Sequence, residues 1–310
     1  MDLSKAKPIE ITDKPLFDEY LKKYPPEISE FTFTNLFIWR NYYDYLFLEW
    51  NDHLLAFSKT FFKDRKPAVS GNSDGIFLLP PIGPTPIKLI LELFNLKKHV
   101  EIHRISPSFT EKLKETPEYS TLNLNCADDE NNWDYVYEKV KLSTLAGRKL
   151  YRKRRWLRRF LEDYPNYEFH LLSEEWIDAC QQLQIEWCDM NECRANEDLI
   201  EEQKAIKDAF KYYKELDYRG GLITLDGRCI AYTLGEKLNS ETVVIHIEKA
   251  HFDYDGAYQA INNLFVKNCC EDVNYINREQ DLGDEGLRHA KRSYNPHHMV
   301  EKSILYRPAD

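Results

Sequence analysis

GGLITLDGRCIAYTLGEK, residues 220–237, is two runs of β-branched and aromatic residues hinged on Asp226-Gly227, a pair that tolerates the left-handed backbone of a tight hairpin turn. TVVIHIEKA (242–250) follows as a third strand, GAYQAINNLFVKNC (256–269) has the period of a helix, and VNYINRE (273–279) is a further strand. A helix that crosses from a hairpin and its third strand to another strand is an α+β plan. Before it stand a long helical segment (134–165) ended by Pro165, a strand (167–172) and two helices (173–191, 197–216). After it come a helix (285–294) and a last strand (299–307).

The first half of the chain spells the same plan in shorter form. An amphipathic helix (15–24) precedes a hairpin (45–59) turned at Asn51-Asp52, then a strand (75–84), a helix (86–96), a strand (100–105) and a helix (108–115). A chain of 310 residues is long enough for two cores. The expectation is two domains, 1–133 and 134–310, with the ligand site in the second or between the two. The order of elements resembles the GNAT acyltransferase fold, used twice.

Hydrophobic residues at 43% and aromatic residues at 14% exclude a disordered chain. The seven cysteines show no metal-ligand spacing, and an odd count does not make a full disulfide framework, so free thiols in a cytoplasmic protein are expected. His297-His298 has no third ligand in view, so no metal site is expected. No apolar run reaches the length of a membrane span, which leaves peripheral contact as the most a bilayer would receive.

Three segments carry a family resemblance: YINREQDLGDEGLRHAKRSYNP (275–296), HIEKAHFDYDGAYQAIN (246–262) and DYVYEKVKLSTLAGRKLYRKRRWLRRFLEDYP (134–165). They resemble the soluble phosphatidylglycerol lysyltransferase C-terminal domain family, densely from Asp134 onward and thinly before it. The resemblance implies a tandem GNAT fold like that of aminoacyl-phosphatidylglycerol synthases and Fem peptidyltransferases. It implies transfer of an aminoacyl group from aminoacyl-tRNA to an amine or hydroxyl by direct attack, with no required cofactor. The acceptor that the resemblance implies is a small molecule or a lipid head group. The chain lacks the membrane half of the membrane synthases, which weakens the lipid reading.

Two alternatives stay open. One is an acyl-CoA-dependent N-acyltransferase; the other is a non-catalytic, GNAT-derived binding or regulatory protein. CoA-dependent GNAT domains open the helix after the third main strand with Q/R-x-x-G-x-G/A, whose backbone N–H groups hold pyrophosphate. Here the stretch is Asp253-Tyr254-Asp255-Gly256-Ala257-Tyr258, with one glycine kept and two carboxylates that repel phosphate.

Strict alternation along 242–248 puts Val243, Ile245 and Ile247 on a core face and Val244, His246 and Glu248 on a wetter one. Glu248 is a candidate base, and His246 and Lys249 are candidate substrate contacts. Asn277-Arg278-Glu279-Gln280-Asp281 ends a strand in five polar residues, a sequence costly to bury and unnecessary for a turn. Asn277 and Arg278 are therefore read as substrate-binding, and Glu279 and Asp281 as catalytic or amine-binding. On the next helix Lys291 is a further binding candidate and Tyr294 a proton donor to a leaving group. The competing readings are a solvated strand face with an exposed ion pair for His246–Lys249, an internal hydrogen-bond and salt-bridge network for 277–281, a lysine that snorkels outward for Lys291 and an aromatic core residue for Tyr294.

Residues 148–159 hold eight Lys or Arg and no acid in a chain of net charge −10. On a helix, Arg148, Arg152, Arg155, Arg158 and Arg159 form an outer face suited to tRNA phosphates or anionic lipid. Lys149 and Lys153, four residues apart, project into the apolar stripe and are read as binding an acidic ligand.

Overall fold

The computed structural model describes residues 2–96 and 99–308, in two compact units. The first comprises residues 1–133 and 300–310; the second is Asp134–Met299. The architecture is α+β, two GNAT-like units each built on a mixed seven-stranded sheet.

In the first unit the strands are β1 (Lys7–Pro8), β2 (Leu46–Trp50), β3 (His53–Ser58), β4 (Ile76–Leu78), β5 (Val100–Ile105) and β6 (Asn125–Asp128). Those of the second are β7 (Asp134–Glu138), β8 (Tyr167–Leu171), β9 (Arg219–Leu225), β10 (Arg228–Lys237), β11 (Thr242–Ala250), β12 (Tyr275–Asn277) and β13 (His298–Val300). The last strand, β14 (Ser303–Tyr306), returns to the first sheet.

The sheet orders are β1-β2-β3-β4-β5-β14-β6 and β8-β9-β10-β11-β12-β7-β13. Position by position they correspond, each with a parallel pair (β4–β5, β11–β12) next to antiparallel hairpin strands. β14 fills in the first sheet the place that β7 fills in the second, each antiparallel to the far member of the parallel pair. The boundary expected at 134–310 is corrected accordingly, because Ile304 and Leu305 are buried in the first sheet. Lys302, fully buried, fixes this return by donating to Glu30 at 2.7 Å. Glu30 also accepts from Arg104 Nε at 2.7 Å, and Arg104 pairs with Asp129 as well.

The long helical segment expected at 134–165 divides in three. Tyr135, Val136 and Tyr137, buried on both faces of the sheet, form β7. A helix, Lys139–Thr144, then ends on Leu145 in the left-handed conformation, and Gly147 at φ +97° completes the turn. The basic helix proper is Tyr151–Asp163.

One face of the second sheet packs on the helix Ala257–Cys269, through Val243, Ile245, Phe265 and Val266 near one end and Ala231, Ala250, Ala260 and Ile261 near the other. The opposite face meets the helices Glu174–Met190 and Glu197–Lys211. Between those helices Glu192 takes a left-handed turn that brings Cys188 and Cys193 to a Cα separation of 5.1 Å, and they form a disulfide. The expectation of free thiols fails for this pair.

Candidate functional site

The site begins with an irregularity in β11. Leu234 of β10 lies opposite Ile247, and the next residue, Gly235, lies opposite Ile245, so His246 is an extra residue. A bulge of this kind reverses the alternation beyond it. Glu248 therefore faces the helix Ala257–Cys269 along with Val243 and Ile245, whereas His246 keeps to the opposite face. The shared face expected for His246 and Glu248 is corrected by this one inserted residue.

Glu248 is held at both oxygens. Arg278 Nη2 donates to Oε1 at 2.7 Å, and Asn262 Nδ2 donates to Oε2 at 2.8 Å. Both side chains of the ion pair are nearly buried, at 13% and 11% exposure, and Asn262 is 1% exposed. Among the described residues four buried side-chain polar atoms lack a hydrogen-bond partner, and two of them are Arg278 Nη1 and Asn262 Oδ1, on the two residues that flank Glu248. The other two are Thr34 Oγ1, in the first unit, and Gln184 Nε2, on the helix Glu174–Met190.

Two aromatic rings frame the guanidinium. Its carbon is 4.8 Å from the Tyr294 ring centroid and 5.7 Å from that of Tyr137. Lys153 places its ammonium 4.3 Å from the same Tyr294 ring and makes no hydrogen bond or ion pair among the described residues. Burial, and then the nearby Arg278 charge, lower Lys153 to about 8, against an opposing pull from Glu248. Burial raises the Tyr294 phenol, which keeps its proton. Lys149 lies outside the basic helix, is exposed and donates to Asn295 at 2.9 Å. Of the two lysines expected to face inward, only Lys153 does.

On the opposite face His246 is clamped between carboxylates, Nδ1 to Glu279 at 2.7 Å and Nε2 to Glu236 at 2.9 Å. Burial lowers its affinity for a proton, but the two acceptors outweigh it and raise the pKa to about 10. His246 is a fixed cation, so a general-base role is closed to it. Lys249 pairs with Glu202 at 2.7 Å and lies 3.7 Å from the Trp187 ring centroid, also away from Glu248.

The polar run 277–281 is a built loop. Asn277 donates to Asp134 and accepts from the backbone of Glu279. Asp281, 1% exposed, accepts from the Tyr135 hydroxyl, twice from Arg288 and from the Gly283 backbone. Lys291 donates to the carbonyls of Arg278 and Gln280 at 2.6 and 2.5 Å, and its burial lowers it to about 8. Asn277, Asp281 and Lys291 thus fix the loop that carries Arg278. Asp281 has no free lone pair with which to act as a base, and the Lys291 ammonium does not reach into the site.

Of the arginine face, Arg158 and Arg159 pair with Glu162 and Asp163 one turn on, and Arg159 also meets Asp255 at 2.9 Å. Arg148, Arg152 and Arg155 are exposed and make no ion pair among the described residues. Gly256, at φ +86°, abuts the basic helix so closely that a Cβ there would lie 2.5 Å from the Trp156 carbonyl oxygen. The basic helix and the Asp255 carboxylate thus stand beside the N-terminus of the helix Ala257–Cys269, where CoA pyrophosphate would be held.

Two partners escaped sequence reading. Asn262 carried a signal, since it and Asn263 are polar residues on the buried stripe of their helix. Glu236 carried none, because its approach to His246 depends on the register across the bulge.

The family profile described as phosphatidylglycerol lysyltransferase, C-terminal, matches residues 21–306. A conserved protein of unknown function from Bacteroides thetaiotaomicron has the same fold, with TM-score 0.85 and 30% identity, over 97% of this chain and 98% of that one. L-PGS of Bacillus licheniformis superposes with TM-score 0.64 at 14% identity, over 96% and 93%. FemX does so with TM-score 0.63 at 11% identity, over 98% and 97%. An uncharacterized protein of Mycoplasmoides gallisepticum is 25% identical over 190 residues, 57% of this chain; the match spans 56% of that relative's length.

Proposed function

The chain belongs to the phosphatidylglycerol lysyltransferase C-terminal family, and from that premise we propose that it is an aminoacyltransferase that draws on aminoacyl-tRNA. The observation that supports this site for the reaction is the Glu248 carboxylate, aimed by a bulge and steadied by Arg278 and Asn262. Strand bulges beside active sites commonly re-aim one functional side chain.

In this reading the acceptor's amine or hydroxyl approaches Glu248, which takes its proton as the nucleophile attacks the ester carbonyl of the donor. No covalent enzyme intermediate forms. Tyr294, kept protonated by burial, supplies a proton to the departing ribose oxygen and regains one from Glu248. Arg148, Arg152 and Arg155, exposed and without an ion pair among the described residues, contact the donor's phosphates. The Asp255 carboxylate and the close-packed basic helix beside Gly256 argue against acyl-CoA as the donor. Use of aminoacyl-tRNA implies a cytoplasmic reaction; separately, no helix among the described residues is long and apolar enough to cross a membrane.

The test is transfer of a labelled aminoacyl group from a mixed aminoacyl-tRNA pool by the purified chain, offered amine, hydroxyl and lipid acceptors. Label should leave the tRNA and appear in an acceptor, and Glu248→Gln should slow this by about 100-fold or more. Retention of label on every tRNA, with release from acyl-CoA instead, would favour the CoA-dependent reading. No release from either donor would favour the non-catalytic one.

A further inference from the structure

The surroundings of Glu248 specify more than a base. Asn262 Oδ1 is an acceptor without a donor, and Arg278 Nη1 is a donor without an acceptor; both are buried. Glu248 couples the two residues, one on each of its oxygens, so the unpartnered atoms lie within a few bond lengths of one carboxylate. Buried polar atoms are nearly always paired in folded proteins, because each unpaired one forfeits its hydration. Two of opposite type beside a single carboxylate describe a ligand with a donor at one end and an acceptor at the other.

The charges say which acceptor. Arg278 and Lys153 bring two cations to one Tyr294 ring, and Glu248 neutralises one of them. Lys153 makes no hydrogen bond among the described residues and feels Arg278 as a repulsion. A neutral ester carbonyl would leave a partly buried positive charge uncompensated; a carboxylate would not.

Resting on the transferase reading above, we propose that the acceptor is a molecule with adjacent ammonium and carboxylate groups, of the free α-amino acid class. Its carboxylate bridges Arg278 Nη1 and Lys153, and its nitrogen lies between Asn262 Oδ1 and Glu248. The ammonium gives one proton to Glu248 and on to solvent. The amine nitrogen then attacks the ester carbonyl carbon of the donor, the C–N bond forms and the C–O ester bond breaks. The second proton leaves nitrogen and ends on the departing ribose oxygen. The product is an aminoacyl-amino acid joined by a peptide bond.

Binding separates this proposal from the transferase reading. Thermal unfolding and calorimetry of the full chain are followed with a panel of free L-α-amino acids, their amides and their N-acetyl derivatives, up to about 10 mM. At least one free amino acid should bind, and its amide and N-acetyl form should bind at least tenfold more weakly. Lys153→Met, which removes a half-exposed side chain without breaking an ion pair, should weaken the carboxylate-bearing ligand by roughly tenfold and leave the amide unaffected. Asn262→Leu, which keeps the volume, should weaken the free amino acid and spare the N-acetyl form. Absence of binding by every amino acid, or equal binding by acids and amides, would overturn the proposal. Amino-acid binding without transfer from any aminoacyl-tRNA would refute the transferase reading and leave the site assignment standing. Transfer to a hydroxyl or lipid acceptor by a chain that binds no amino acid would overturn this proposal alone.

Discussion

Replacing His246 by Gln tests the geometry on the far side of the bulge. The imidazole is 2% exposed at its side chain and hydrogen-bonded at both nitrogens to carboxylates. A rise from the ordinary 6.5 to about 10 corresponds to roughly 5 kcal/mol of preference for the charged form in the folded chain. Because the folded value lies above the unfolded one, this stabilisation is complete below pH 6.5 and is lost as pH rises through about 10. Lys153 and Lys291 act oppositely: each is lowered from 10.5 to about 8, so their contribution grows more favourable between those values. The wild-type minus His246→Gln difference in denaturant stability cancels the lysines and isolates the histidine. That difference should be largest below pH 6.5, fall steadily across pH 7 to 10 and approach a constant above. A difference independent of pH, or a ring that titrates near 6.5 by NMR, would refute the double clamp and with it the bulged register.

Gly256→Ala should destabilise the second unit by about 2–4 kcal/mol in chemical denaturation, since it adds a left-handed alanine and a contact with the Trp156 carbonyl. Lys302→Met leaves Glu30 short of one of its two cations in a buried site and should cost about 3–5 kcal/mol, read as earlier unfolding of the first unit. Changing Arg148, Arg152 and Arg155 together to Gln should leave the unfolding temperature unmoved. It should weaken tRNA binding and reduce the slope of log affinity against log salt by roughly two to three, measured by filter binding over a salt series.

Periodicity carried the fold because hairpin turns and crossover helices are local statements. Asp226-Gly227 turns where its residue types require, and the helix behind Gly256 has an apolar stripe that matches its sheet. Three features were not local. The run 134–138 is half strand and half helix by composition, and only the presence of β12 beside it decides for the strand. The return of β14 to the first sheet is settled by a salt bridge spanning almost the whole chain, between Lys302 and Glu30. The bulge at His246 inverts the faces of β11, and no residue type in TVVIHIEKA announces it. The structure divides the residues expected to act. Glu248, Arg278, Lys153 and Tyr294 meet on one face, His246 and Glu279 on the other, and Asn277, Asp281 and Lys291 support the loop between.

The central claim is that the donor's acyl group is received beside Glu248. The most direct measurement is a crystal structure, or an amide-detected NMR map, of the chain with a hydrolysis-resistant 3′-aminoacylamino-adenosine. The account predicts that the scissile amide of the analogue comes to rest beside the Glu248 carboxylate, with its ribose-side nitrogen facing the Tyr294 hydroxyl, and that Glu248→Gln leaves the position unchanged. Occupancy at the Lys249–Glu202 face instead, or displacement of the analogue by acyl-CoA, would contradict it.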